Sequence, residues 1–382
     1  MKINNLKILT MKAKIHFGLI ALALLGLSGC AKETTLDQVN PDTPIAFDTY
    51  LGRAAQTKGY VADLADLQTT GFGVYAFYTA TENYSAFQDN SKVPDYMVNE
   101  ELTYSGGKWT YSPIKYWPNN TGDKVSFFAY APYFATGSSA TENITEVSTN
   151  SSNGDPTVTF AVAADVTNQE DLLYATLVDQ EKPNTSAKTK FNFQHALSRV
   201  AFKAQAYVDA VNTETDGTTP DDDMASDAGL ATGTTVTINS ITLTGKFYTG
   251  GTLNLTDGVW TPTTPSGSTS YKLSGSELAV TDVTNAVSAQ VNADTDYMML
   301  IPGTFDGVTI TVNYTVKTED DALASGNSSI VNNVTSDDFN FTFVQGQAYA
   351  FVLHLGLNSV KVDAQVTEWS TESTVVANVP LN

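Results

Sequence analysis

The sequence has 382 residues, with 20 Lys+Arg against 41 Asp+Glu and a formal net charge of −21. That balance argues against a nucleic-acid partner, whose phosphates demand clustered Lys and Arg, and against an electrostatic hold on anionic lipid. A single Cys excludes an internal disulfide, and 18 Tyr and 18 Phe amid abundant Thr, Ser, Asn and Gly favour strands over helices.

At the amino terminus, Lys12, Lys14 and His16 precede an apolar run from Phe17 to Leu27, followed by Ser28-Gly29-Cys30. A basic start, a short apolar core and small residues at the end describe a secretory signal. The run falls short of the roughly 20 apolar residues that span a bilayer. Met11 is a candidate start, because the signal reads well from there. Leu27-Ser28-Gly29-Cys30 resembles a bacterial lipobox, so residues 1–29 are expected to be removed and Cys30 to carry a lipid anchor (diacylglyceryl and palmitate). Each buried methylene of such an anchor adds about 0.8 kcal/mol. A plain secretion signal with an incidental Cys is the competing reading.

Residues 31–44 are polar and read as a tether ending in Pro41-Asp42-Thr43-Pro44. Ile45, Phe47, Thr49 and Leu51 then alternate with the period of a strand, and Gly52-Arg53-Ala54 follows at once. Further on, Trp109, Tyr111, Tyr116 and Trp117 are either core residues or a stacking surface for sugars. The polar, Pro-containing stretch Gln180-Glu181-Lys182-Pro183-Asn184-Thr185-Ser186 predicts a domain boundary near residue 188. The divisions are then 30–53 for tether and first strand, 54–188 for one domain and 189–382 for the next. Residues 212–235 form an acidic loop; Asp221, Asp222, Asp223 and Asp227 lack the alternating spacing and central Gly of a calcium loop.

In the last third, alternation is clearest. Val308, Ile310, Val312, Tyr314 and Val316 share one face, as do Phe339, Phe341 and Phe343. So do Tyr349, Phe351, Leu353 and Leu355, and then Val360, Val362, Ala364 and Val366. Breaks are expected at Gly245, Gly250-Gly251, Asp257-Gly258 and Asp306-Gly307. No long helical periodicity follows the signal, so the fold class is all-β in two layers.

Chemistry is sparse. His195 and His354 are the histidines beyond the signal, and neither lies in a catalytic or metal-binding motif. There is no Gly-x-Ser-x-Gly, no His-Glu-x-x-His and no phosphate-binding Gly loop. The expectation is a non-enzyme without metal or cofactor, with each His on a strand and one ring nitrogen bonded to backbone.

Several stretches, taken in order, resemble the fimbrillin family of Bacteroidetes, the subunits and accessory proteins of type V pili, and look closest to its minor-fimbrium-like branch. They are Trp109-Thr110-Tyr111 with Tyr116-Trp117-Pro118, and Val125-Ser126-Phe127-Phe128-Ala129-Tyr130-Ala131-Pro132. Then come Phe193-Gln194-His195-Ala196-Leu197-Ser198-Arg199-Val200, Gly346-Gln347-Ala348-Tyr349 and Val366-Thr367-Glu368-Trp369.

The resemblance implies two tandem transthyretin-like antiparallel β-sandwich domains and a structural role at the outer membrane surface, in a fimbrium serving adhesion. It also implies export as a lipoprotein, removal of the first strand by a trypsin-like protease, and filling of the emptied groove by a strand of a neighbouring subunit. On this sequence the removable strand would be Ile45, Phe47 and Leu51, with cleavage between Arg53 and Ala54 and Lys58 as a second candidate. The donor strand would lie in residues 370–382, with Val375, Ala377, Val379 and Leu381 on one face. A terminal edge strand of the chain's own sheet is the competing reading of that tail. The implied partners are other fimbrial subunits, identical or different, the protease, and a host protein or glycan receptor. A monomeric glycan-binding lipoprotein using the Trp109–Trp117 aromatics, or an uncut fimbrial anchor, are the alternatives.

Overall fold

The computed structural model describes residues 42–51, 63–86, 92–138, 143–208, 229–230, 234–280, 289–290, 297–319, 323–369 and 377–380. In chain order they form β1 (Phe47–Leu51), α1 (Leu64–Thr70), β2 (Phe72–Ala80), β3 (Met97–Ser105), β4 (Lys108–Thr110), β5 (Lys124–Ala131), β6 (Ile144–Val147), β7 (Thr157–Ala161), β8 (Leu173–Glu181) and β9 (Thr189–His195). Next come β10 (Ser198–Val208), β11 (Gly229–Leu230), β12 (Thr234–Gly245), β13 (Gly250–Asn254), β14 (Trp260–Pro262), β15 (Thr269–Val280), β16 (Ala289–Gln290) and β17 (Met298–Leu300). The remainder is β18 (Gly303–Glu319), β19 (Asn327–Thr335), β20 (Phe339–Phe343), β21 (Gln347–Leu355), β22 (Val360–Glu368) and β23 (Ala377–Pro380).

The protein is all-β, as the composition and alternation predict. One sheet has the order β1-β9-β8-β5-β2-β3-β4. A second runs β11-β10-β21-β22-β23, with β16 and β17 also on β10, and a third runs β15-β12-β18-β19, with β20 on β18. A fourth, β14-β13-β7-β6, draws two strands from each side of residue 188. Most pairings are antiparallel, but β1 with β9, and β10 with β11 and β21, run parallel. Parallel neighbours need a long crossover, and in the first case it is the entire run from α1 to β8.

The period-2 faces read from sequence are the buried ones. Val308, Ile310, Val312, Tyr314 and Val316 all point inward from β18, and β20 and β21 bury their aromatic faces against one another. Two features differ from the sequence reading. Asp306-Gly307 does not break the chain into two strands; it is a bulge inside β18, where the register to β20 shifts between Phe305 and Val308 and Gly307 takes φ +66°. And α1, a helix of seven residues, is too short to carry a long helical periodicity. It is a local device: Asp63 accepts from the amides of Ala65 and Asp66, and Asp66 returns a bond to the Asp63 amide. Gly71 ends it at φ +69°, where an added Cβ would sit 2.7 Å from the Leu102 carbonyl oxygen.

Two cores result. The first lies on one face of the first sheet and gathers Phe72, Val74, Phe127, Ala129, Phe191 and Phe193 with the side chains of β1. The other face of that sheet, with Tyr75, Phe77, Phe128 and Tyr130, joins a second core that continues through Phe160 and Leu253 to Phe202, Ile310 and Phe351. Emptying a site in the second core tests these inward assignments. Ile310→Ala should cost about 2–5 kcal/mol, read as a lower urea midpoint at unchanged slope.

Candidate functional site: the edge strand and its groove

β1 is an edge strand. It pairs with β9 from Phe47↔Thr189 to Leu51↔Phe193 and, among the described residues, with no other strand. Its alternation sends Ile45, Phe47 and Leu51 inward, where they are buried, and leaves Asp48 and Tyr50 outside. The three residues expected to form the removable strand therefore share one core. Phe47 is the centre of that contact. Its ring stacks on Phe191 at 5.5 Å and meets the edges of Phe127 at 5.7 Å and Tyr111 at 5.6 Å.

The far edge of the sheet curls round to the same strand. Trp109 of β4 donates its indole N–H to Thr49 Oγ1 at 3.1 Å. The Tyr111 hydroxyl donates to the Ile45 carbonyl at 2.9 Å, and the Ile45 amide donates to the Lys115 carbonyl at 2.9 Å. Trp109 and Tyr111 were visible in the sequence as aromatics, but their hydrogen bonds to β1 were not, because those partners lie 60 and 66 residues away. Trp109 and Trp117 are buried and belong to the first core, whereas Tyr116 is 45% exposed. At the carboxyl end of β1, Leu51, Tyr174, Phe193, His195 and Gly346 line a cleft of about 410 Å³.

His195 closes this end of the groove. Its Nδ1 lies 2.6 Å from Asp171 Oδ2, and its ring stacks on Trp369 at 4.0 Å with 5° between planes. His354 likewise pairs by Nε2 with Asp363 Oδ2 at 2.9 Å. The expectation of a backbone partner is corrected for His195, whose Nδ1 is held by the Asp171 carboxylate; His354 also has a carboxylate partner, and each carboxylate projects from a neighbouring stretch of sheet or its flank. Arg199 lies over the rings of Tyr297, at 4.4 Å, and Trp369, at 5.5 Å, and burial pulls its pKa below the ordinary value. The Gly346 amide donates to the Leu197 carbonyl at 2.9 Å, and Trp369 to Gly346 at 3.1 Å. The motifs around Phe193, Gly346 and Trp369, separated by up to 176 residues, meet here.

Ala377 and Val379 lie in β23, an edge strand paired antiparallel to β22 with Ala377 opposite Val366 and Val379 opposite Ala364. The tail segment thus forms the outer strand of the chain's own sheet. Cys30, Arg53, Ala54, Lys58, Val375, Leu381 and the acidic residues Asp221, Asp222, Asp223 and Asp227 lie outside the described residues. Among the described residues no group of three or more His, Cys, Asp or Glu is placed to hold a metal ion.

Fold and site together define an all-β protein of several sheets whose first core is completed by the edge strand β1. The chain belongs to the fimbrillin-like family, whose model matches residues 62–369. It is 26% identical over 398 residues to the fimbrium subunit Fim1C of Phocaeicola vulgatus, covering 94% of this chain and 98% of that one. A crystal structure of a fimbrial protein from Bacteroides vulgatus shares the fold at a TM-score of 0.63 and 20% identity, over 85% of this chain and 99% of the other. Membership sets the chain among fimbrial structural proteins of the cell surface, a family not known for catalysis.

Tyr111 supplies a direct probe of the grip on β1. Burial pushes its pKa from 10.0 up to about 12. A folded value above the unfolded one means that this contribution is whole below pH 10 and is lost as pH rises towards 12. Tyr271, also pushed up to about 12 by burial, adds to the same fall, so the parent must be compared with a variant. Tyr111→Phe should lower stability by about 1 kcal/mol at pH 7 and make the loss between pH 10 and 12 shallower, as followed by denaturant titration at each pH.

Proposed function

We propose that this chain is a structural pilin or tip subunit of a type V fimbrium, exported as a lipoprotein on Cys30, cut after Arg53 and joined to its neighbours by donor-strand exchange. The observation that carries the reading is β1 itself: a core-filling strand at a sheet edge, two residues before Arg53 in the sequence. Because β1 bonds to one strand only, its loss breaks no pairing between the strands that remain. The loss does uncover apolar surface, at about 25 cal/mol per Å², and a replacement strand recovers that free energy. β23 is also an edge strand, so the tail can leave its own sheet without opening the interior of that sheet. Pro380, which lacks an N–H, is tolerated at such an edge.

In this reading the chain comprises two tandem sandwiches meeting near residue 188, with the sheet β14-β13-β7-β6 and the continuous second core joining them. A glycan-binding monomer built on the tryptophans fits less well, since Trp109 and Trp117 have no exposed face to offer a sugar.

The amino-terminal residue of protein recovered from cells is the decisive measurement, and Ala54 is the expected answer. Arg53→Ala together with Lys58→Ala should leave uncut, lipid-anchored monomers; polymers from that double variant would mean that removal of the first strand is not what triggers assembly. In cells that make the other fimbrial subunits, deleting residues 375–382 should yield cut subunits that join no ladder on unboiled gels. Cys30→Ser should shift the protein out of the detergent phase, and unchanged partitioning would remove the lipid anchor from the model.

A further inference from the structure

We infer that the groove under β1 is shaped for a strand bearing an aromatic residue in the place of Phe47 and a hydroxyl residue in the place of Thr49, so its natural occupant is a strand of a different subunit and not the tail of a second copy. This rests on the strand-removal reading above and specifies the partner.

The four inward positions of the first strand are not equivalent. At the first, Ile45 is an aliphatic plug, and its recognition by Tyr111 goes through the backbone carbonyl, which any residue supplies. At the last, Leu51 packs beside Phe193 at the mouth of the cleft. The two central positions are selective. Phe47 is 2% exposed and enclosed by three rings, Phe191 parallel to it and Phe127 and Tyr111 edge-on. Aromatic packing of this kind has defined geometry, and a smaller side chain would leave a void among groups fixed by β5 and β9. Thr49 accepts the indole N–H of Trp109, a group that is only a donor and is itself buried. A residue without an acceptor there leaves that donor unpaired.

Residues 370–382 contain no aromatic residue, so no register or direction can seat one in Phe47's place. In the parallel register that aligns Val375, Ala377, Val379 and Leu381 with Ile45, Phe47, Thr49 and Leu51, the ends match and the centre does not. Ala377 falls among the three rings, and Val379 faces Trp109 with no oxygen. Reversing the strand puts Val379 among the rings and Ala377 opposite Trp109, with the same two faults. The tail therefore suits a groove with smaller central pockets, and this groove awaits a strand of the form aliphatic-x-aromatic-x-Thr/Ser-x-aliphatic.

The test is strand exchange on the cut protein. The full chain is cleaved with trypsin, or with a specific protease whose site is inserted after Arg53 if trypsin leaves it whole. Labelled peptides then compete for the groove: residues 42–53, the same peptide with Phe47→Ala, the same with Thr49→Val, and residues 370–382. The first should exchange in. Phe47→Ala should weaken binding roughly a hundredfold and Thr49→Val roughly tenfold, and the tail peptide should be no better than the Phe47→Ala peptide. As a gain of function, Ala377→Phe with Val379→Thr in the full chain should convert cut subunits that do not self-chain into ones that form ladders. A tail peptide that competes as well as residues 42–53, or ladders from the unmodified cut chain alone, would overturn the inference. Failure of trypsin to cut at Arg53 would count against the processing step only, since the inserted site still opens the groove. If none of the four peptides enters the opened groove, both the exchange reading and this specificity fall together.

Discussion

The first sheet depends on how its inner face is covered. Seven strands present Phe72, Phe127, Phe191 and Phe193 towards one side, and they curl until β4 approaches β1. What finally excludes water is the set of side chains on β1, with Phe47 between Phe191, Phe127 and Tyr111. A strand paired with a single neighbour thus makes one of the most buried contributions to the core. Such a combination is unusual in a protein meant only to be stable, because an edge strand opens more readily than a central one. It suits a protein in which that place changes occupant.

The second organising feature is the junction at the carboxyl end of β9. His195 is held by Asp171, stacked on Trp369 and bordered by Gly346, while the Arg199 guanidinium lies 5.5 Å from the centre of the Trp369 ring. The strand that carries β1 is thereby fixed to the end of β22, the last strand before the tail. No hydrolytic chemistry needs to be invoked for His195. A buried ring between a carboxylate and an indole is oriented on both sides, which is a packing role. The carboxyl end of β1 and the residue that follows β22 therefore share one set of contacts.

The edge strands also show how an acidic, disulfide-free chain manages its exposed backbone. β1 and β23 each end a sheet, and both are short. Short edges offer little template for indiscriminate pairing, whereas pockets for alternate side chains let a matching strand be told from a wrong one. In the proposed exchange, specificity would reside less in backbone hydrogen bonds, common to every strand, than in the two central pockets of the groove.

The strands with one wet face could be read directly, because in β18, β20 and β21 alternate residues meet different environments and composition records the difference. Ile45, Phe47 and Leu51 were legible for the same reason, as was their position just ahead of Arg53. β2 and β5 were harder, because the first and second cores cover their two faces and their sequences are almost continuously apolar. The sequence by itself determined the all-β class, the inward faces and the candidate strand. Tertiary structure alone decided that β1 runs parallel to β9, that Trp109 and Tyr111 reach back to it, and that His195 meets Asp171 and Trp369. These are pairings between residues far apart in the chain. Periodicity reports which side of a strand is dry, but not which distant side chain makes it so.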